Sequence, residues 1–382
     1  MKRLLEALGG DKELTRYVGG AVRDDLMAHR VSDVDLATRL QPQDVMQRLE
    51  AAKIKAVPTG IDHGTITAIS DGHPYEVTTL RRDISTDGRR ATVAFTTDWE
   101  EDAARRDFTI NALSADPRTG EIFDYFGGLD DLLERHVRFI GDPLKRIAED
   151  HLRILRYFRF HARFGRGQPD QPALDACTAR ANDLMALSRE RIADELLKLL
   201  ALPEPSSTLG IMLDRNILKP VLPEIAIERL CKLEHLIESE KAAGIPPEGL
   251  RRLAALLPRD PGLAEAVAAR LKLSNKVRKR LACAAGEENS SSPEAMAYRL
   301  GTSCAVDRLL LSEQAADARR IAKWHPPRLP IGGGLLIARG LSEGPIVART
   351  LRQIEKRWVE AGFPAGDELE AIVSDALVVA LS

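Results

Sequence analysis

Residues 17–40 read YVGGAVRDDLMAHRVSDVDLATRL. The preceding residues complete a strand-like run, TRYV (15–18); Gly19-Gly20 then predicts a tight turn and Ala21–His29 a short helix. Glycines at such a turn let backbone N–H groups come close to a phosphate, and a helix start adds a favourable dipole. Arg23 falls in the first helical turn, where a guanidinium would clamp a triphosphate. SDVDLAT alternates, so Asp33 and Asp35 are expected on one face of a second strand. Neighbouring carboxylates repel each other, and a divalent cation shared with substrate phosphates relieves that repulsion in phosphoryl transfer. Alone, a D-x-D pair is more often part of a turn than of a metal site. Combined with the glycine turn and Arg23 upstream, it points to phosphate and metal.

Downstream segments add candidate groups. EVTTLR (76–81) places Glu76 on a later strand, either as an exposed acid or as the third carboxylate that deprotonates an attacking hydroxyl or completes a second metal site. EDAARRDFTINAL (101–113) sets Arg106, Asp107 and Asn111 near a helix start, where they would bind ribose and phosphate or simply cap a surface helix. In EDHLRILRYFRFHARF (149–164), Arg153, Arg156, Arg159 and Arg163 share an arc of roughly 120° at helical spacing, opposite Ile154, Leu155, Phe158 and Ala162. Four like charges on one face require an anionic counterpart. Asp150 and Arg153, three residues apart, offer an acceptor and a donor. They form either a local salt bridge or a hydrogen-bonding edge for a base. SRERIADELLKLL (188–200) reads as a capped helix bracing the arginine helix, and DYFGGLDDL (124–132) as a glycine turn or hinge.

The 382 residues carry a net charge of −2, 29% charged residues and only 4% aromatics, which favours a helix-rich chain of two to four modules. No apolar run approaches the roughly 18 residues of a membrane span, and no leader pattern opens the chain. Cys177, Cys231, Cys283 and Cys304 show no C-x-x-C spacing, so neither zinc nor a disulfide frame is expected and a reducing cytoplasm fits. The near-neutral total conceals basic stretches at 145–166 and 270–280, which suit either a phosphate backbone or solvated helix faces. Strand-like runs (TRYV, VDLAT, GTITAIS, YEVTTL, ATVAF, EIFDYF, HVRFI) end near residue 140. Helical patterns broken by proline joints follow, with GEENSSSPE (286–294) resembling a linker.

In order, GGAVRD…SDVDLAT, RRDFTINAL, DYFGGLDDL, EDHLRILRYFRF and SRERIADEL resemble the five motifs of the class II tRNA nucleotidyltransferases. These are the CCA-adding enzymes of the DNA polymerase β superfamily, and the likeness is to the bacterial and mitochondrial type. The resemblance implies an α+β fold: a polymerase-β-like nucleotidyltransferase head with a mixed sheet, followed by an all-helical neck, body and tail. The expected divisions are 1–140 (catalytic head), 141–200 (neck, base recognition), 201–286 (body) and 287–382 (tail), the last two holding tRNA. It also implies stepwise addition of C, C and A from CTP and ATP to the tRNA 3′ end, with release of pyrophosphate. Asp33 and Asp35 would hold Mg²⁺, a two-metal site, with Glu76 as helper. Gly19, Gly20 and Arg23 would hold triphosphate, Arg106 and Asp107 would check the ribose, and Asp150 and Arg153 would pair with the base. Arg156 and Arg159 would orient Arg153 or meet phosphate. TLRRDISTDGRRATVAF (79–95) stands where the family has a flexible loop tied to the switch from C to A addition, though Ala91 replaces a proline common in bacterial members. The rivals are a bacterial poly(A) polymerase, an A-adding or CC-adding specialist, a non-enzymatic RNA-binding protein and a small-molecule nucleotidyltransferase.

Overall fold

The computed structural model describes residues 1–31, 33–87, 90–286 and 292–381, with backbone alone for 83–93. Two compact units emerge. One comprises Met1–Leu199 with Ile211–Val221, the other Leu200–Gly210 with Leu222–Ser382.

The first unit runs α1 (Lys2–Ala7), β1 (Thr15–Val18), α2 (Gly20–Leu26), β2 (Asp35–Thr38), α3 (Pro42–Ala51), β3 (Lys55–Gly60), β4 (Thr65–Ser70) and β5 (His73–Thr79). Then come β6 (Arg81–Asp87), β7 (Arg90–Phe95), α4 (Trp99–Ala104), β8 (Ser114–Ala115), β9 (Ile122–Phe123) and α5 (Gly128–Leu133). The helices α6 (Pro143–Glu149), α7 (Arg153–Phe164), α8 (Gln171–Ala179) and α9 (Arg189–Leu200) follow. Seven strands form one sheet in the order β3-β4-β5-β2-β1-β8-β9, in which only β2 and β5 pair in parallel. The mixed sheet and helical remainder agree with the expected fold class.

Period-two alternation decides which face carries the chemistry. Leu36, Val77, Ile66 and Ala68 point to one side and are buried with Leu4 and Leu8 of the N-terminal segment and Val45 and Leu49 of α3. Asp35, Glu76 and Thr67 must therefore lie on the other face. Asp35 stands opposite Glu76, and Glu76 opposite Thr67.

Several expected elements differ. β3 contains Pro58, which argues against a strand from sequence but is tolerated because β3 is the sheet edge. HVRFI (136–140) is not a strand; it makes a single bridge between Phe139 and Phe108, and its apolar residues feed an aromatic cluster with Tyr157. The segment expected as a loop at 79–95 pairs as the β6–β7 hairpin; Ala91's side chain and residues 88 and 89 lie outside the described residues. So do residues 287–291 of the expected linker.

In the second unit, helices Leu230–Ala243, Gly249–Leu256, Asn275–Ala284 and Thr302–Leu311 surround a buried ionic cluster. Glu240 takes Arg251 at 2.6 Å and Arg252 at 2.9 Å, while Asp307 takes Arg251 at 2.8 Å and Arg280 at 2.7 Å. Arg252 is 1% exposed and also donates to the carbonyl of Leu200 at 2.8 Å. Cys283 and Cys304 are joined by a disulfide, contrary to the expectation of unpaired thiols. Their separation of 21 residues hides the pairing from a spacing rule, but two packed helices bring their Cα atoms to 6.1 Å. Cys177 and Cys231 are free.

Glu240→Ala leaves the buried Arg252 guanidinium without its carboxylate and takes one of Arg251's, and should destabilise the second unit by about 3–5 kcal/mol in urea denaturation. Removing the exposed neighbour in Lys241→Ala should change stability by no more than about 0.5 kcal/mol. Alkylation of the denatured, unreduced chain should label Cys177 and Cys231 alone, and reduction should expose Cys283 and Cys304 as well.

Candidate functional site

The glycine turn explains itself locally. Gly19 has φ +64°, a backbone conformation that any side chain would strain, and a Cβ there would lie 2.8 Å from the Arg106 guanidinium and displace it. The turn ends β1 and opens α2 at the rim of a cavity of about 530 Å³ that lies within the first unit. Ten of the expected residues line it: Gly19, Gly20, Arg23, Asp35, Glu76, Arg106, Asp107, Asp150, Arg153 and Arg156. Asp33 instead borders a second cavity beside Asp35 and Glu76, and Arg159 lies outside both.

Asp35, Glu76 and Asp33 form the acidic end. Partial burial, then Glu76 and Asp33, push the Asp35 carboxyl above its usual range, while Arg106 pulls it down. Among the described residues, no three His, Cys, Asp or Glu side chains converge closely enough to hold a metal by themselves. Oxygen donors of this kind fit a hard cation whose remaining ligands are substrate phosphates and water.

Arg23 lines the cavity but is only 5% exposed, and its guanidinium is engaged by protein groups. It gives two hydrogen bonds to Asp24 at 2.9 and 2.7 Å, pairs with Asn111 and stacks over Phe164 at 4.2 Å. Burial pulls its pKa down and Asp24 pushes it back up, with a net lowering. It supports the turn at least as directly as it faces a ligand.

Asp107 is the most constrained carboxylate. Arg156 donates to it from Nε at 2.8 Å and Nη2 at 2.6 Å, Asn111 at 2.9 Å and the Phe108 N–H at 2.9 Å. Burial works to raise its pKa, yet Arg156 and these donors hold it below the ordinary carboxylate range. Arg106 is held by Asp102 at 3.3 Å and by the carbonyl of Asn111 at 3.3 Å.

The expected single helix over 149–164 breaks at Asp150, whose backbone is extended with φ −153° and ψ 106°. Its carboxylate accepts from the Leu152 N–H at 3.1 Å, a local bond that competes with helix continuation. Asp150 and Arg153 consequently do not pair with each other. Arg191 of α9 holds Asp150 at 2.7 Å, whereas Arg153 pairs with Glu149 and donates to the carbonyls of Arg146 at 2.9 Å and Arg105 at 3.3 Å. Glu195 takes Arg159 at 2.5 Å and reaches Arg156 at 3.7 Å. The α9 segment thus braces α7 through Glu195 and holds Asp150, just ahead of α7, through Arg191.

Sequence reasoning missed Asp102, Arg105, Glu149 and Phe160. Asp102 and Arg105 lie inside a quoted motif but read as one more acid and one more base. Phe160 falls on the arginine arc, yet it is buried and lines the cavity with Arg156, Arg159 and Arg23 against its ring. The glycine pair of DYFGGLDDL is a close-packing device: a Cβ on Gly128 would sit 2.3 Å from the Thr109 carbonyl oxygen. Asp131 ties the same segment to Thr109 and Arg138.

Residues 15–138 match the family profile described as Poly A polymerase head domain, and residues 169–228 one described as Probable RNA and SrmB- binding site of polymerase A. The mitochondrial CCA tRNA nucleotidyltransferase 1 of Mus musculus is 33% identical, with 95% of this chain and 87% of that protein covered. The CCA-adding enzyme of Streptococcus gordonii is 32% identical, with 93% and 91% covered. The crystal structure of the Bacillus stearothermophilus CCA-adding enzyme in complex with CTP superposes with a TM-score of 0.76 at 25% identity, covering 99% of this chain and 98% of that one. Head profile, whole-chain identity and fold agree, and the chain belongs to the family of CCA-adding tRNA nucleotidyltransferases.

Proposed function

We propose that Asp33, Asp35 and Glu76 carry the nucleotidyl transfer by which this enzyme adds C, C and A from CTP and ATP to the 3′ end of tRNA. The reading rests above all on one observation: whole-length identity to CCA-adding enzymes accompanies one cavity lined by Asp35 and Glu76 together with Asp150 and Arg153. Whole-chain relatives of that kind favour it over a poly(A) polymerase, although the head profile carries that name.

Nucleotidyltransferases of the polymerase type generally use divalent metals, and Mg²⁺ is the ion proposed here, with Asp33 and Asp35 as its protein ligands. When bound, it supplies charge stabilisation to the reacting phosphate oxygens. The chain's own groups do the rest. Gly19 and Gly20 bring backbone to the triphosphate, and Arg106 supplies positive charge beside it. Glu76, opposite Asp35, accepts the proton of the attacking 3′-hydroxyl as the new O–P bond forms and pyrophosphate leaves. Asp107, in the bonds described above, stands where it would meet the ribose. Arg156 and Arg159 act chiefly by orientation, through Asp107 and Glu195.

Cytosine and adenine both present an exocyclic amine beside a ring nitrogen acceptor. Asp150 would accept from the first and Arg153 donate to the second, and uracil and guanine present the opposite pattern. Residues 1–140 are proposed as catalytic head, 141–200 as neck, and 201–286 and 287–382 as tRNA-binding body and tail. Among the described residues no helix is long and apolar enough to cross a membrane, and residence in the cytoplasm is the proposed location.

Given tRNA ending at the discriminator base, at +C or at +CC, with one labelled nucleotide at a time, the protein should add C, C and A and stop. Arrest at CC, or long A tails, would transfer the assignment to a specialist or a poly(A) polymerase. Arg153→Ala removes a charge-assisted bond and should cut the preference for CTP and ATP over UTP and GTP by roughly tenfold to a hundredfold, read from kcat/KM ratios. Asp107 offers a separate stability readout. Its depressed pKa means the folded state binds fewer protons than the unfolded one, so its contribution is complete above about pH 4–5 and fades as pH falls further. Asp107→Asn should cost about 2 kcal/mol at pH 7 and progressively less towards pH 2 in urea titrations.

A further inference from the structure

Phe160 is a phenyl ring, 5% exposed, in the wall of a cavity otherwise crowded with charge. Three guanidinium groups lie over it, with Arg159 at 4.7 Å, Arg23 at 5.2 Å and Arg156 at 5.3 Å from the centroid. Phe108 and Phe164 pack against the ring at centroid distances of 5.2 and 5.6 Å. A leucine would fill the space, but only an aromatic face attracts cations. That attraction needs no directed bond, and it grows where water is excluded. Asp24, Asp107 and Glu195 balance the three charges.

Two of these arginines reach Asp107, one directly and one through Asn111. Arg156 donates to Asp107 at 2.8 and 2.6 Å, Asn111 donates to it at 2.9 Å, and Arg23 pairs with Asn111. Phe160, against both guanidinium groups, closes this circuit, and all five residues line the cavity. With the Phe108 N–H, Asp107 accepts four hydrogen bonds. They fill the roughly four lone-pair sites of a carboxylate. A ribose hydroxyl is therefore accepted only if one donor withdraws. The Phe108 N–H is backbone and Asn111 is tied to Arg23, whereas Arg156 has a second carboxylate, Glu195, at 3.7 Å. Arg156 is the donor able to yield. Released from one bond, its guanidinium stays in place only if a contact without fixed direction keeps it there.

We infer that Phe160 is a positioning residue for ribose selection: its ring retains Arg156 beside Asp107 while one acceptor site passes to the incoming sugar hydroxyl. Arg156 and Phe160 stand one turn apart on α7, where side chains face each other, so the guanidinium shifts across the ring without leaving it. The inference rests on the reading above that Asp107 meets the ribose.

The test replaces Phe160, in the full chain, with phenylalanine carrying one, two or three ring fluorines, which weaken the attraction for cations stepwise at nearly constant size. The measured quantity is kcat/KM for CTP and for 2′-deoxy-CTP on tRNA ending at the discriminator base. The preference for CTP should fall with each fluorine, by about fivefold to tenfold in all, and by a similar factor in Phe160→Leu. The choice of CTP over UTP, assigned to Asp150 and Arg153, should stay within about twofold of wild type. A ribose preference that ignores the fluorines would overturn the inference. So would an equal loss of base choice, the mark of a general distortion. A wild-type protein that takes CTP and 2′-deoxy-CTP alike would remove Asp107 from the ribose and the inference with it, a result distinct from a preference that exists and does not depend on the ring.

Discussion

Charge pairing along α7 is the constraint on which the first unit depends. Arg153, Arg156, Arg159 and Arg163 share one arc of that helix, and each meets a carboxylate from a different element: Glu149 of α6, Asp107 beyond α4, Glu195 of α9 and Asp24 of α2. Ion pairs that are largely buried add little net stability, because desolvation offsets most of the attraction, yet losing one partner is costly. Their consequence is geometric. Three elements distant in sequence and the adjoining α6 are held to one helix in one arrangement, and Asp107 and residues of α2 and α7 line the cavity.

Such pairing also determines what remains for a ligand. A guanidinium has five N–H donors. Arg153 spends three on Glu149 and the carbonyls of Arg146 and Arg105, which fixes its plane and leaves two for a base edge. Asp150 is fixed similarly by Leu152 and Arg191 but, with two lone pairs on each oxygen, keeps acceptor capacity. A donor and an acceptor immobilised before the nucleotide arrives suit discrimination between bases, because neither can swing away to accommodate the wrong pattern. In the same cavity, burial with Glu76 and Asp33 nearby raises the proton affinity of Asp35, a setting that calls for positive charge. Asp35, Glu76, Asp150 and Arg153 all line one cavity, together with Arg106 and Asp107.

Much of this was legible in the chain. TRYV, the glycine turn, Asp35 of SDVDLAT and Glu76 of EVTTLR could be placed because period-two alternation and turn chemistry act locally, whereas Asp33 precedes β2 and is not placed by strand alternation as expected. Ten of twelve expected site residues share the cavity for the same reason: the motifs sit at element ends that the sheet gathers. What stayed hidden was partner choice. Arg153 has acids at positions −3 and −4, and spacing alone cannot say that Glu149 takes it while Asp150 turns to Arg191, 41 residues on. The break at Asp150 depends on a side-chain bond that competes with helix formation. Pro58 became admissible only once β3 was known to be an edge, and Cys283 found Cys304 only because two helices pack.

The second unit shows why basic runs are poor guides to nucleic-acid surfaces. The stretch 270–280 carries six basic residues and no acid, and it reads as a site for a phosphate backbone. Folded, Arg270 pairs with Glu224 at 2.6 Å, Arg278 with Glu265 at 2.9 Å, and Arg280 with Glu248 and Asp307. Those acids lie 13 to 46 residues away, beyond any local window. Half the apparent charge of the run is thus spent within the unit, and Arg280 in particular belongs to the ionic cluster around Glu240. The stretch keeps three exposed lysines, Lys272, Lys276 and Lys279. Each screened surface charge of that kind adds to non-specific, salt-sensitive affinity.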